Sequence, residues 1–249
     1  MIKMTRSRRL AAALGLFAFA AVTAVPAQSP AEPTRAVVEL FTSQGCSSCP
    51  PADALLTDLA HRGDVVALAY HVDYWDYIGW PDTFGNEDNS NRQRAYAASW
   101  GSSRIYTPQV VVNGVTDVVG SKAHEVHKAL GQATLSLPIR LARHDDMLSV
   151  EIDGQAGLEP AVVWLVTFLD SAEVDIERGE NEGKSIIYSH VVTGRQAIGM
   201  WEPGAGAQLK LPMAEMIGEA ADGVAIIVQH DDNGLPGPIL GAAVYEATE

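Results

Sequence analysis

Residues 36–56 read AVVELFTSQGCSSCPPADALL, and their interpretation decides the fold. The apolar run from Ala36 to Phe41 suits a buried strand. A short polar turn follows, Cys46-Ser47-Ser48-Cys49, then two prolines and an apolar run with helical spacing. Strand, Cys-x-x-Cys, helix is the setting in which this motif reads as a redox pair. A cysteine at the start of a helix faces backbone N–H groups without intrahelical acceptors and the positive end of the helix dipole. Both favour the thiolate, the form that attacks disulfides. Cys46 is expected to be exposed and to attack. Cys49, one turn into the helix, is expected to be covered and to resolve the mixed disulfide. Pro50 and Pro51 fit a first turn, where the missing N–H is not needed. The chain holds no other cysteine. A structural disulfide is one alternative, although so short a loop removes little chain entropy. Half of a metal site is another, but there is no second Cys-x-x-Cys.

The start of the chain has the pattern of an export signal. Lys3, Arg6, Arg8 and Arg9 precede an apolar run from Leu10 to Val22, and Val25-Pro26-Ala27 offers a small-residue cleavage site. Residues 1–27 therefore read as a signal peptide, with an uncleaved anchor as the alternative. The apolar run is too short to span a bilayer comfortably, so no stable membrane insertion is expected after cleavage. Export puts the cysteine pair in an oxidising compartment, where disulfides persist. Removing residues 1–27 takes four of the 17 basic residues and none of the 31 acidic ones, and leaves a formal charge of −18. Such a surface argues against nucleic acid or anionic membranes as partners.

Residues 34–41 form the first expected strand and 49–60 the first helix. Residues 64–72 (DVVALAYHV) form a second strand, apolar on both faces as inside a parallel sheet. An aromatic and polar segment follows, then a helix over 89–99, a strand over 109–112, the turn Asn113-Gly114, a strand over 115–119 and a helix over 121–132. Asn-Gly between apolar runs is a strong hairpin signal.

The order β-α-β-α-β-β-α, with Cys-x-x-Cys opening the first helix, resembles a thioredoxin-like domain. Thr107-Pro108 falls where that superfamily carries its cis-proline. The resemblance implies a cis bond before Pro108, in a loop beside the cysteines that offers backbone groups to an extended substrate. A trans proline starting an edge strand is the alternative. A closer resemblance is to DUF1223, a family of secreted bacterial proteins with no assigned function. It is carried by VELFTSQGCSSCPPADALL, ALAYHVDYWDYIGW, RQRAYA, YTPQVVVNG, ERGENEG and ILGAAV, between residues 36 and 245. It implies a periplasmic or secreted protein and supplies no reaction. Gly45 stands where thioredoxins carry Trp, and Ser-Ser replaces their Gly-Pro, so no redox potential transfers.

Further candidates surround the motif. Glu39 lies seven residues before Cys46. Thioredoxins carry a buried acid on the matching strand, with a spacing that differs by one residue. Burial near Cys49 would raise its pKa and let it take the thiol proton; the alternative is a carboxylate facing water. His71 and Asp73 sit at the carboxyl end of the second strand, where α/β sheets place their sites. Sharing a face, they could form an acid/base pair. His71 with both cysteines is the alternative soft-metal site, suited to Cu(I). Tyr74, Trp75, Tyr77, Trp80 and Phe84 crowd one loop, either as a peptide-binding wall, with Trp75 and Trp80 foremost, or as a small satellite core. Arg92 and Arg94 read as solvated or paired with acids.

After residue 134 the pattern changes to short alternating runs with turn signals, which argue for an antiparallel β-sandwich. Within it, Gly179-Glu180-Asn181 reads as a turn or as a surface that binds the first domain. Arg178, His190 and His230 stand out without forming a metal set, and Asp231-Asp232-Asn233-Gly234 reads as a hairpin turn. The expectation is an exported protein with a thioredoxin-like α/β domain (34–134) followed by an all-β sandwich-like domain (135–249). It would exchange thiols and disulfides with protein substrates and a recycling partner. Cys46 and Cys49 do the chemistry, Glu39 or His71 handles protons, and Thr107 and Pro108 present the substrate. No organic cofactor is needed, since the electrons reside on sulfur. A copper carrier using Cys46, Cys49 and His71, or a binding module with a fixed disulfide, are the alternatives.

Overall fold

The computed structural model describes residues 34–218 and 220–246; the expected signal segment, residues 1–27, lies outside them. The first half runs β1 (Ala36–Thr42), α1 (Pro50–Ala60), β2 (Val65–His71), α2 (Glu87–Ser99), β3 (Gln109–Val112), β4 (Thr116–Val119) and α3 (Ala123–Gln132). β1 and β2 are buried at every position and pair in parallel from Ala36↔Val65 to Thr42↔His71. β3 lies antiparallel on the other side of β1. Asn113 (φ 50°) and Gly114 (φ 73°) close the β3–β4 turn. Two successive positive φ values are what a tight hairpin needs, and they explain this residue pair.

The second half contributes β5 (Ile139–His144), β6 (Met147–Ile152), β7 (Ala161–Asp175), β8 (Ser185–Trp201), β9 (Ala207–Pro212), β10 (Gly223–Asp232) and β11 (Leu235–Glu246). Here the structure corrects the expectation of an antiparallel body following a finished α/β unit. Four of these strands continue the first sheet, in the order β11-β10-β7-β8-β2-β1-β3-β4. That eight-stranded sheet is mixed. β8 joins β2 in parallel through Ala69↔Val191, while β8, β7, β10 and β11 are antiparallel to one another. The remaining strands form a three-stranded sheet, β5-β6-β9. The reason lies in β2 and β7. β2 is apolar on both faces, and an open edge there would leave buried backbone groups unpaired. β7 is also apolar on both faces. Val163 and Leu165 pack on β6, whereas Val166 and Phe168 join the core under α2.

One face of the large sheet is thus covered by α2, over Phe41, Tyr70 and Ile227. The other carries α1 and α3 over Val38, Leu40, Ala67 and Ala69, with the small sheet further along. Burying Leu56 and Leu59 of α1, each 2% exposed, contributes about 1.5–3 kcal/mol apiece and holds the helix that starts at the cysteines. The fold is mixed α/β, dominated by one large sheet.

Candidate active site

β1 delivers Thr42 to the carboxyl end of the parallel strands, and the chain turns through Ser43-Gln44-Gly45 into the cysteine loop. Cys46 N–H donates to the Ser43 carbonyl and Cys49 N–H to that of Cys46, each at 3.1 Å. Cys49 is the N-cap of α1, Pro50 and Pro51 fill its first positions, and the Cys49 carbonyl accepts from Ala52 N–H and Asp53 N–H. Cys46 and Cys49 are joined in a disulfide. Gly45 has no room for a side chain. A Cβ there would lie 3.0 Å from Ile78 Cδ1 and 3.2 Å from Trp75 Cβ. The aromatic segment therefore presses directly on the cysteine loop.

Both sulfur-bearing residues are covered: Cys46 is 1% exposed and Cys49 0%. The expected exposure of Cys46 is corrected by the tip of the β7–β8 hairpin, which lies over the loop. Asn181 Nδ2 donates to the carbonyls of Gln44 (2.8 Å) and Cys46 (3.0 Å), and Glu180 Oε2 accepts from Ser47 N–H (3.3 Å). Lys184 Nζ donates to Asn181 Oδ1 at 2.8 Å, which fixes the amide with its nitrogen toward the loop.

A buried polar group lies at the same end of the sheet. His71 is fully buried, and its Nδ1 lies 3.0 Å from both carboxylate oxygens of Asp82. The expected partner, Asp73, accepts from Ser90 Oγ instead. The alternation of β2 ends at Val72, which still bonds to Thr42, and the following loop folds back so that Asp82 meets His71. Asp82 also accepts from Gln44 N–H (2.7 Å) and Phe84 N–H (2.9 Å). Burial pushes its carboxyl up, but the His71 charge and these bonds outweigh that and hold it below the usual range. Asp53, one turn along α1 from Cys49, accepts from Thr42 Oγ1 at 2.7 Å. Burial pushes the Asp53 carboxyl up to about 7, against the opposing pulls of Thr42 and His71. Tyr188 of β8 closes the group, its ring edge-on to His71 at 4.7 Å. Asp53 Oδ2, His71 Nε2 and Tyr188 OH are buried without hydrogen-bond partners among the described residues. Asp53, with one free oxygen and a carboxyl raised to about 7, is the member suited to exchange a proton near neutrality, whereas burial pushes the Tyr188 phenol far above that range.

The other expected residues are placed as follows. Glu39 is buried, but its oxygens are taken by Arg92 (Nε, 2.8 Å) and Tyr96 OH on the α2 side of the sheet. It is committed to an ion pair and not available to Cys49. Arg92 is accordingly buried, while Arg94 is exposed and donates to Asn91. The Thr107–Pro108 bond is cis. Pro108 and Ala52, in the first turn of α1, both crowd Gly120, which puts the proline beside the start of that helix. Thr107 Oγ1 accepts from Trp75 Nε1 (2.7 Å), and Gln44 Oε1 accepts from Trp80 Nε1 (2.8 Å). The two tryptophans thus tie the aromatic loop to both the proline loop and the cysteine loop. His190 bonds to the Ala67 carbonyl and His230 to that of Pro160, each committed to structure. Among the described residues no three His, Cys, Asp or Glu side chains gather as a metal-binding group. Asp53 and Asp82 were not anticipated. Asp53 had a signal, an acid four residues after Cys49 on one helix face; Asp82 had none, since only the folded loop brings it to His71.

Comparison with known proteins sets this geometry in a lineage. Residues 37–229 match the family described as "Protein of unknown function (DUF1223)". A protein from Agrobacterium tumefaciens, whose crystal structure was determined as a structural-genomics target, is similar over 88% of this chain and 96% of its own, with 34% identity and a TM-score of 0.77. No curated protein matches the chain.

Proposed function

The chain belongs to the DUF1223 family, and from that premise and its cysteine loop we propose that it is an exported, thioredoxin-like thiol–disulfide oxidoreductase of the periplasm or extracellular space. The observation that carries the reading is the Cys46–Cys49 disulfide at the N-cap of α1, with the buried Asp53 carboxyl, its Oδ2 unpartnered among the described residues, one turn behind it. The placement of Pro108 beside Ala52, at the start of α1, supports it.

In the exchange, a substrate thiolate attacks Cys46 Sγ and the Cys46–Cys49 bond breaks. A mixed disulfide forms, and Cys49 leaves as a thiolate near the positive end of α1. A second substrate thiolate then attacks the substrate sulfur of that mixed disulfide and releases Cys46. Two electrons have passed from the substrate dithiol to the cysteine pair, and two protons follow. Asp53, with a carboxyl near neutrality, is placed to deliver one to Cys49 and to remove it in the reverse direction. Asp82 fixes the His71 ring through Nδ1 beside that carboxyl, and the electrostatic influence of His71 opposes the upward push of burial on Asp53.

A second reading is favoured by the burial of both cysteines: a fixed disulfide in a non-catalytic binding module. One measurement separates them. The reduction potential of the pair is obtained by equilibration with glutathione buffers and mass-tagging of free thiols. Exchange requires a value between roughly −270 and −120 mV, the span of known exchangers. A value below about −300 mV marks a structural bond and ends the enzyme reading.

A further inference from the structure

The β7–β8 hairpin reaches well past the sheet. β10 accompanies β7 only as far as Phe168, and β8 meets β2 only at Val191. From Ser171↔Ser189 to Asp175↔Ser185 the two strands pair with each other alone. A ribbon of two strands without flanking strands is stabilised only where a helix packs on it, here α1 at the base, and its far end belongs to the part of a structure that opens locally. The arm is anchored at its base by Tyr188 against His71 and by Ser189 Oγ, 3.0 Å from Thr57 Oγ1. Beyond Ile176 the tip touches apolar side chains through Gly179, which lies against Trp80 and Ile78. Glu177, Arg178, Glu180 and Glu182 are exposed, and the buried residue between 177 and 184 is Asn181, 1% exposed. No large apolar side chain of the tip is buried, so polar bonds and the Gly179 contact hold it down. Those bonds go to Gln44 O, Cys46 O and Ser47 N–H, backbone groups on either side of the Cys46 side chain.

We propose that residues 177–184 are a gate: the tip occupies the backbone groups of the cysteine loop, shields the disulfide while no substrate is present, and is displaced when a substrate chain takes those groups. The gate rests on the redox reading for its purpose, and its geometry is independent of it. A cover fastened to the loop by three hydrogen bonds, two from a neutral amide and one, long and exposed, to the Glu180 carboxylate, opens readily, because each contributes little net stability in water.

The test is the pseudo-first-order rate at which excess dithiothreitol reduces Cys46–Cys49 in the chain from residue 28 onward, with thiols quenched and mass-tagged over time. Asn181→Ala is expected to raise the rate about tenfold, the effect of losing two such bonds. Glu180→Ala and Lys184→Ala change exposed side chains and are expected to raise it two- to threefold (roughly one weaker bond each). Should Asn181→Ala fail to fold, these two decide. Rates within experimental error of wild type in the folded variants overturn the gate. The reduction potential keeps the two claims apart. A potential inside the exchanger range with unchanged rates removes the gate and leaves the exchange reading. Faster reduction with a potential typical of structural disulfides ends the exchange reading and, with it, the gate's role in catalysis.

Discussion

Asp53 is a carboxyl that the fold keeps from water at the start of α1. Its folded pKa, about 7, lies well above its ordinary value of 3.8 because burial penalises the charged form. Between those values the folded chain binds a proton that the unfolded chain has released. The resulting stabilisation is full below about pH 4, declines as pH rises, and is gone above about pH 7. Its size is on the order of 4 kcal/mol. Asp64, lowered to about 2 by Arg62 and Arg35, acts in the opposite sense and in a lower window, so it does not mask the effect above pH 4. Asp53→Asn keeps the acceptor for Thr42 and removes the titration. Urea unfolding at pH 4.5 and 7.5 should show a drop for the wild type that is largely absent in the variant. Equal drops would place the raised carboxyl elsewhere. The same residue shows what the sequence could and could not say. An acid on β1 before the cysteines was legible as Glu39, but alternation puts Val38, Leu40 and Thr42 toward α1 and Glu39 toward α2, where Arg92 claims it. The face of a strand buried on both sides cannot be read from its own residues.

Helices and strands of the first half were legible because their signals are local: strand runs of fixed polarity, prolines at a helix start, Asn-Gly at a turn. What those elements touch was not. Asn113 makes the point. As a turn residue it was expected; in the structure its side chain also accepts from Val37 N–H at 2.7 Å and donates to the Thr134 carbonyl at 3.1 Å. One residue therefore forms the β3–β4 hairpin, extends the β1 edge and fastens the end of α3. Asn113→Ala should lose both bonds, strand a buried N–H, and force a Cβ-bearing, non-hydrogen-bonding residue into φ 50°. The expected cost is about 2–4 kcal/mol in the free energy of unfolding. Gly at this position relieves the backbone term alone, so Asn113→Gly should recover part of the loss. Chemical denaturation of both variants checks this. Equal stability of Ala, Gly and Asn would mean that the side-chain bonds contribute nothing. The ERGENEG turn was legible in the same local way, yet its seat over the cysteine loop depends on a contact across more than 130 residues.

At the scale of the whole molecule, the composition change near residue 134 marks where, among the described residues, the α-helices stop, not where the sheet stops. The core under α2 is built from both halves: Phe41, Tyr70 and Tyr96 pack with Val166, Phe168, Val192, Ala225 and Ile227. Gln229 of β10 reaches the buried Arg92, and its amide oxygen accepts from that guanidinium at 3.1 Å. Cutting the chain at 134 would expose the outer edge of β2, open half of that core to water and leave the Arg92–Glu39 pair without its cover. Breaking into a buried ion pair of this kind costs several kcal/mol on its own, comparable to the net stability of a domain. Residues 34–134 alone should therefore lack a cooperative urea transition and near-ultraviolet circular dichroism, and should bind a hydrophobic dye as a loosened compact state does. The chain from residue 28 onward should unfold in one transition, with fluorescence and far-ultraviolet signals superimposed. A sharp transition and ordered aromatic signals in the fragment would show that β8, β7 and β10 are additions to a self-sufficient unit. Their absence would mean that the cysteine site exists only once the second half has folded onto β2, so that the strands which complete the sheet are the same strands that carry the cover of the disulfide into place.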